Sequence, residues 1–275
     1  MGKKTEKNDE IFLYDDRVVV FIDILGFKKL IEATLDKAGN EIPTESKKIK
    51  YLLNLFSKIF EEHPEMETTK QVTQFSDSIV VSFHYTEPSQ VFYTLLDILH
   101  LHLELINLGY VVRGSVCFGK LHHTSTLVFG PGIVKAYEFE TQSAIFPRIV
   151  IEPKVFEVGE QYAISGHTKE TEREHLDGLA IKDFDGHYYV DYFENAQGEL
   201  DDPNLQWPDY LNSLRSIIED GLKTTNPSVR NKFLWMKEKF NLLIPKHKSE
   251  AFIKNVREHL GEEFSDFYSE LEEIE

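Results

Sequence analysis

The sequence predicts an α+β fold, in which helices cover a mainly antiparallel sheet and a helical extension follows. Short apolar strands alternate with helical segments over about the first 155 residues, an order that suits a sheet with helices packed on its faces. Two of the strands are separated by two turn residues and predict an antiparallel hairpin. After Pro203 only helical patterns follow.

The predicted strands are short runs of Val, Ile and Phe bounded by glycine or turn residues. The first strand ends before Gly26, and the hairpin has Ser76-Asp77 at its tip. A later hairpin turns at Asp185-Gly186. The predicted strands and hairpins cover residues 17–24, 70–84, 110–119, 121–129, 146–151 and 179–193.

The predicted helices have apolar residues at helical spacing. Pro88 and Ser89 open the second helix, which stops at Gly109, and Gly130-Pro131-Gly132 leads into a short helix reaching Thr141. The other predicted helices cover residues 44–62, 209–222 and 229–243 and an acidic tail from 249. The resulting element order favours a ferredoxin-like core.

The chain length of 275 residues and the hydrophobic content of 41% are ample for a packed core. We divide the chain into a flexible tail at residues 1–10, a domain containing the sheet at 11–194, and a helical C-terminal extension at 195–275. The aromatic residues Trp207, Phe233 and Trp235 are expected to pack that extension onto the core.

Charge and composition exclude several classes of partner. A formal net charge of -17 argues against nucleic acid or an anionic membrane surface as the main partner. No apolar run approaches the roughly 20 residues of a membrane span, and the charged first residues show no signal peptide. Cys117 is the only cysteine, which excludes an internal disulfide and fits the cytoplasm. Its apolar strand predicts a buried, unreactive thiol.

Two aspartates inside apolar strands are the main candidates for function. Asp23 lies in VVVFIDILGF, and Asp77 lies in QFSDSIVVSF. Burying an unpaired carboxylate is unfavourable, so such residues usually bind a cation, a proton or a hydrogen-bond donor. If adjacent strands bring them together, these carboxylates and the carbonyl of Ile24 would suit Mg²⁺ or Mn²⁺. Alternatively, each aspartate only caps local backbone amides.

Four ordered segments resemble the class III nucleotidyl cyclases. VVVFIDILGF is similar to their first metal-binding strand, and QFSDSIVVSF is similar to their hairpin with a Gly-Asp tip. GYVVRGSVCFGKLH resembles the strand after the second helix, and VFGPGIVKAYEFE resembles the glycine-led helix that follows. VFGPGIVKAYEFE, together with the FPRIVI that follows it, resembles the bacterial pyrimidine cyclases of Pycsar antiphage defence.

This resemblance implies an enzyme that converts a nucleoside triphosphate to a 3′,5′-cyclic nucleotide and pyrophosphate. Asp23, Asp77 and Ile24 would hold two Mg²⁺ or Mn²⁺ ions. The resemblance further implies a head-to-tail homodimer with active sites at the interface. A separate effector would read the cyclic nucleotide, and phage infection would be the trigger.

Departures from the family bear on the substrate. The positions that read a purine base in the family fall near Gln71 and Leu127 here. Leucine cannot accept a hydrogen bond from adenine, whereas Gln71 can donate and accept, which favours a pyrimidine triphosphate and, slightly, UTP over CTP. We add Phe27, which follows Gly26 in the first motif, to the residues expected to contact substrate.

The positions of the family's transition-state Asn and Arg hold Val134 and Glu138. Arg113, Arg148 and Lys135 could supply the missing positive charge, the arginines through bidentate contacts with phosphate. Alternatively, the two arginines pair with core-edge glutamates such as Glu138 or Glu140. Two other functions stay open: a catalytically idle module that senses nucleotides or binds a partner, and a metal-dependent phosphohydrolase or nuclease.

Overall fold

An eight-stranded sheet lies at the centre of the computed structural model, which describes residues 13–61 and 68–275. The predicted tail at residues 1–10 lies outside the described residues. The strands are β1 (Asp15–Ile24), β2 (Gln71–Phe75), β3 (Ser78–His84), β4 (Val112–His123), β5 (Val128–Phe129), β6 (Ile149–Ile151), β7 (Ala180–Lys182) and β8 (Tyr188–Val190).

The sheet order is β2-β3-β1-β4-β6-β8-β7, and β5 pairs only with the end of β4. Among these described pairs β4–β6 is parallel and the others are antiparallel. The helices are α1 (Phe27–Glu32), α2 (Pro43–Glu61), α3 (Gln90–Asn107), α4 (Pro131–Ser143), α5 (Pro153–Gln161), α6 (Lys169–Leu179), α7 (Pro203–Leu222), α8 (Pro227–His247), α9 (Glu250–Leu260) and α10 (Glu262–Glu270). The predicted α+β class, with a mainly antiparallel sheet and a helical C-terminal part, is confirmed.

The two faces of the sheet are covered differently. Alternation along β1 sends Val18, Val20, Ile22 and Ile24 into the main core, which also contains the apolar faces of α2 and α3. The opposite face of the strands packs a small cluster around Val19, Val80 and Cys117 against α4. Odd-numbered residues of β1, including Asp23, therefore lie on the α4 face.

Close packing of α4 on β4 depends on small residues. Gly119 of β4 faces Gly132 of α4, and a Cβ at position 119 would lie 2.9 Å from the Gly132 Cα atom. Nearby, the Ser115 hydroxyl donates to the Ala136 carbonyl at 2.6 Å. Because no side chain intervenes, the helix lies directly on the strand and brings its C-terminal half toward the start of β4.

The C-terminal helices share the main core with the sheet. Trp207 and Trp235 are buried in that core, and Phe233 packs against it. Trp235 stacks on Phe146, with ring centroids 5.5 Å apart. The prediction that these aromatic residues dock the extension on the core is confirmed, while the domain boundary after residue 194 stays a prediction.

Several predicted boundaries were wrong. Residues 121–129 do not form a separate strand, because β4 continues to His123 and only Val128–Phe129 folds back on it. Residues 146–148 precede β6 rather than belonging to it, and Pro147 has no N–H to donate to a sheet. Helix α7 begins at Pro203, where the Asp202 side chain caps the first turn.

Three helices were not predicted from the sequence. Helix α1 has only six residues, and α5 and α6 have nine and eleven. Such short helices give too few apolar repeats for a clear helical period. Helices α1 and α5 directly follow strands, and α6 packs beside α3. Tertiary contacts rather than a local sequence pattern therefore stabilise them.

Candidate functional site

Asp23 and Asp77 lie together at one end of the sheet. Asp23 pairs in register with Ser78 of β3 and with Arg113 of β4. Asp77 is at the two-residue tip between β2 and β3, and its backbone carbonyl accepts a hydrogen bond from the Ile24 N–H at 3.3 Å. The hairpin therefore places the second carboxylate beside the first, as the sequence predicts.

The hairpin tip has an unusual backbone. Ser76 has φ 56°, in the left-handed region that glycine occupies most easily. The Gly-Asp tip of the resembled family would fit this conformation without the steric cost of a Cβ atom. The chain keeps the tight turn with serine, and the turn holds Asp77 toward β1.

The electrostatics of the pair favour a bound cation. The Asp23 side chain is 21% exposed, and burial followed by the negative charge of Asp77 raises its pKa to about 6. Two weaker influences oppose this shift in pKa: the Ser78 hydroxyl, which donates to Asp23 Oδ1 at 3.2 Å, and the charge of Arg113. Two adjacent carboxylates whose negative charge is only partly balanced offer the oxygen ligands that Mg²⁺ and Mn²⁺ prefer.

Arg113 adds a cation to the site. Its Nη2 lies 3.7 Å from Asp23 Oδ2, and its Nε lies 2.6 Å from Oε1 of Glu140, a buried residue of α4. The predicted alternative that Arg113 pairs with Glu140 is therefore what the structure contains. At 27% exposure, the Arg113 side chain is still accessible to a ligand at the sheet end.

A second cation comes from the C-terminal extension. Lys232 of α8 donates to the Ile145 carbonyl at 2.5 Å. Burial, followed by the positive charge of Arg113, lowers the pKa of this lysine, while Glu140 opposes the shift. Sequence reasoning missed Lys232, because nothing in a distant amphipathic helix indicates proximity to β4.

Two other predicted residues occupy the turn after β1. Ile24 is buried and pairs with Val112, next to the aspartates. Phe27 begins α1 and its side chain is buried in the main core. The buried ring packs in that core, and its contact with substrate stays a prediction.

Gln71 and Lys135 are remote from the aspartates of the same chain. Gln71 pairs with Ser82, four positions along β3 from Ser78, or roughly 13 Å at strand spacing. Lys135 donates to the Phe118 carbonyl at 3.1 Å and pairs with Glu152 at 2.6 Å. Phe118 is five positions from Arg113 along β4, roughly 17 Å.

Arg148 is in a different environment from Arg113. Its side chain is 0% exposed and pairs with Asp183 and Asp185 of the β7–β8 connection. The guanidinium also lies near the rings of Phe146 and Trp235. We correct its predicted catalytic role on this ground: a cation with no exposed surface and two carboxylate partners is not accessible to a phosphate. Its partners are aspartates, not the glutamates that the sequence suggested.

The departures from the resembled family lie on the surface. Leu127 is exposed before β5, and Val134 and Glu138 are exposed on α4. Cys117 is buried, as predicted, and burial followed by the charge of Glu152 raises the pKa of its thiol to about 12. The thiol therefore takes no part in the site.

Comparisons with known proteins give structural likeness only. No protein-family profile and no curated protein match the chain. A bacterial light-regulated adenylyl cyclase aligns at 15% identity and a TM-score of 0.41, over 67% of this chain and 96% of that one. A second structure of such an enzyme aligns at 13% identity and 0.42, over 74% of this chain and 57% of its own.

The catalytic core of a rhodopsin-guanylyl cyclase with converted specificity, in complex with ATPαS, aligns at 14% identity and a TM-score of 0.37. That alignment covers 64% of this chain and 95% of the other. At these scores the likeness establishes neither family nor activity. Separately, none of the helices within the described residues is long and apolar enough to span a bilayer.

Proposed function

We propose that this chain is a nucleotidyl cyclase that acts on a pyrimidine nucleoside triphosphate. The observation that carries the proposal is the adjacency of Asp23 and Asp77 at the sheet end, where burial and mutual repulsion raise the pKa of Asp23 to about 6. Carboxylates held together at this cost need a counter-charge, and a metal-bound polyphosphate supplies one.

The residues of the site would have different roles in this reaction. Asp23 and Asp77, with the Ile24 carbonyl, would hold two Mg²⁺ or Mn²⁺ ions, which lower the pKa of the ribose 3′-hydroxyl and neutralise the leaving pyrophosphate. Ser78 orients the Asp23 carboxylate through its hydrogen bond. Arg113 lies beside Asp23 and is the cation of this chain best placed to contact phosphate oxygens.

A head-to-tail homodimer would complete the site. Gln71 and Lys135 are distant from the aspartates of their own chain, and in this proposal they contact the nucleotide bound at the aspartates of a second copy. The exposed apolar side chains of Phe75, Val134 and Tyr137 lie at the hairpin tip and on α4, where such a copy would dock. Gln71 would then read the pyrimidine edge, with UTP favoured over CTP.

The wider role is part of the same proposal. A cyclic pyrimidine nucleotide would act as a second messenger in antiphage defence and would be read by a separate effector in the cytoplasm. The support is the resemblance of VFGPGIVKAYEFE, together with FPRIVI, to the pyrimidine cyclases of antiphage defence.

A second candidate is a cyclase-like domain that binds nucleotide without turning it over. It is favoured by Val134 and Glu138, which offer neither an amide nor a cation on the exposed face of α4. In this case Asp23 and Asp77 would still bind a metal–nucleotide complex, and the chain would sense nucleotide or pair with an active partner.

The test is product analysis with all four nucleoside triphosphates in Mn²⁺ and in Mg²⁺. We expect a cyclic monophosphate from UTP, or from CTP, resolved by chromatography and mass spectrometry. Asp23→Asn and Asp77→Asn should each lower the rate by more than about 1,000-fold, because several kcal/mol of metal-dependent stabilisation are lost.

The matched control is Asp209→Asn, the same chemical change at an exposed position of α7. Its rate should equal that of the wild type. Metal-dependent nucleotide binding without product would select the sensing domain instead. Turnover that persists in both aspartate variants would refute the metal assignment altogether.

A further inference from the structure

Three potential metal ligands converge at the start of α6. His167 lies in the turn before the helix, and Glu172 and His175 lie three residues apart on α6, on one face. One ligand atom from each side chain lies within 4.8 Å of the other two. We refer to His167, Glu172 and His175 as the histidine cluster.

The local backbone fixes this arrangement. Thr168 caps α6, and its hydroxyl accepts a hydrogen bond from the Thr171 N–H at 3.2 Å. The N–H of His167 donates to the Ile164 carbonyl at 3.1 Å. The turn therefore returns His167 toward the helix, where its ring meets that of His175 edge to face at a centroid separation of 5.1 Å.

Glu172 has unused ligand capacity. Its side chain is 1% exposed, and its Oε1 has no hydrogen-bond partner within the described part of the chain. Among the described residues its ion-pair partner is His167, through the other oxygen, Oε2. The neighbouring Arg173 pairs with Glu160 and Asp177 instead. A buried carboxylate oxygen without a donor is unfavourable and requires a physical reason.

Ser89 forms a hydrogen bond with the Glu172 carboxylate. Its hydroxyl donates to Glu172 Oε2 at 3.0 Å and accepts from the Ile164 N–H at 2.9 Å. Ser89 keeps a left-handed backbone, with φ 51°, at the start of α3. Such outer-shell hydrogen bonds orient metal ligands in known sites.

The donor set and spacing suit a transition metal. His167 Nδ1 and Glu172 Oε2 form a hydrogen bond at 3.1 Å. This distance is also close to the roughly 3.3 Å between neighbouring ligands on a tetrahedral ion with bonds of about 2.0 Å. Two imidazoles and one carboxylate select zinc-type ions, whereas Mg²⁺ prefers oxygen ligands alone. The chemistry therefore differs from that of Asp23 and Asp77.

We propose that the histidine cluster binds one zinc-type divalent ion, which ties α6 and the preceding turn to the N-terminus of α3. This site is separate from the aspartates. Ser89 follows the end of β3, and Ser78 at its other end contacts Asp23. The seven residues of β3, which span about 20 Å, lie between Ser78 and the loop that leads to Ser89.

The experiment is a metal titration of the full chain after removal of bound metal with a chelator. Zn²⁺ is titrated in competition with a chromophoric zinc chelator, and Co²⁺ is added separately for its visible absorption. We expect one tight equivalent of Zn²⁺, a tetrahedral Co²⁺ spectrum, and a rise in melting temperature with Zn²⁺.

Variants assign the binding to its ligands. His167→Gln/His175→Gln should weaken Zn²⁺ binding by more than about 100-fold, since loss of an outer-shell partner alone costs about 10–100-fold. Both histidines are exposed, so the fold should persist, and circular dichroism checks this. His259→Gln, at an exposed position of α9, is the matched control and should bind normally.

Asp23→Asn/Asp77→Asn should retain the tight equivalent, which separates this site from the proposed active site. The proposal is overturned if the wild type takes up no tight Zn²⁺. It is equally overturned if the His167→Gln/His175→Gln variant binds as tightly as the wild type.

Discussion

Asp23 and Asp183 are both largely buried aspartates near an arginine, yet their pKa values shift in opposite directions. Burial followed by the charge of Asp77 raises the pKa of Asp23 to about 6. Burial also opposes ionisation of Asp183, but hydrogen bonds from Lys239, the Phe184 N–H and Trp235 hold its pKa below the ordinary value.

The number of donors explains the difference. Asp183 receives Lys239 at 2.7 Å and the Trp235 indole N–H at 2.8 Å, and it also pairs with buried Arg148. Asp23 receives one hydroxyl and a more distant guanidinium, and it faces another carboxylate. Asp183, whose oxygens have several donors, stabilises the packing of the extension. Asp23, whose negative charge is only partly balanced, is available to a ligand.

Removing Arg148 from its cluster with Asp183, Asp185 and Lys239 should have the largest effect. Arg148→Met leaves Asp183 and Asp185 without their shared partner, and we expect the free energy of unfolding to fall by about 3–5 kcal/mol. Urea denaturation measures this change. Arg230→Met, at an exposed position of α8, is the control and should change stability little. An equal, small effect in both variants would contradict the structural role of Arg148.

Neutralising Asp23 should instead raise the free energy of unfolding. The pKa is near 6 in the folded chain and 3.8 ordinarily, so ionisation destabilises the metal-free protein as pH rises through this window. At pH 7 with a chelator present, Asp23→Asn should therefore be more stable than wild type by about 1–3 kcal/mol. Added Mn²⁺ should stabilise only the wild type.

The sign of this effect can be checked by pH. Because both folded and unfolded wild type bind the proton below about pH 4, the advantage of Asp23→Asn should shrink as pH falls from 7 toward 4. A pH-independent difference, or a less stable Asp23→Asn protein, would contradict the inferred repulsion between Asp23 and Asp77.

The smallest effect concerns the turn that presents Asp77. Ser76→Gly should raise the free energy of unfolding by about 0.5–1 kcal/mol, because glycine adopts φ 56° without steric cost. Ser89→Gly is the matched comparison at φ 51°. It should lose about 1 kcal/mol instead, since its hydroxyl makes two hydrogen bonds. Thermal denaturation distinguishes the two, and equal effects would contradict this explanation.

Sequence reasoning predicted the sheet class, and it predicted that the aspartates meet if their strands are adjacent. Apolar runs specify β1 and β3, and the two-residue tip fixes β2 against β3 and sets Asp77 at the start of β3. The long-range pairing of β3 with β1 then places Asp77 beside Asp23. Sequence reasoning missed Lys232 and misassigned Arg148, since both depend on where the C-terminal helices dock.

The sequence by itself determined the longer strands, the long helices and the hairpin that carries Asp77, because periodicity and turn chemistry act over a few residues. Only the tertiary structure decided which charged groups are buried and supplied with hydrogen-bond and ion-pair partners. In the sequence, Arg113 and Arg148 are alike as arginines beside apolar runs. In the structure, Arg113 lies partly exposed beside Asp23, and Arg148 is buried among aspartates and aromatic rings. Burial and donor number come from packing between distant segments, and those two quantities set which carboxylates remain available to a ligand.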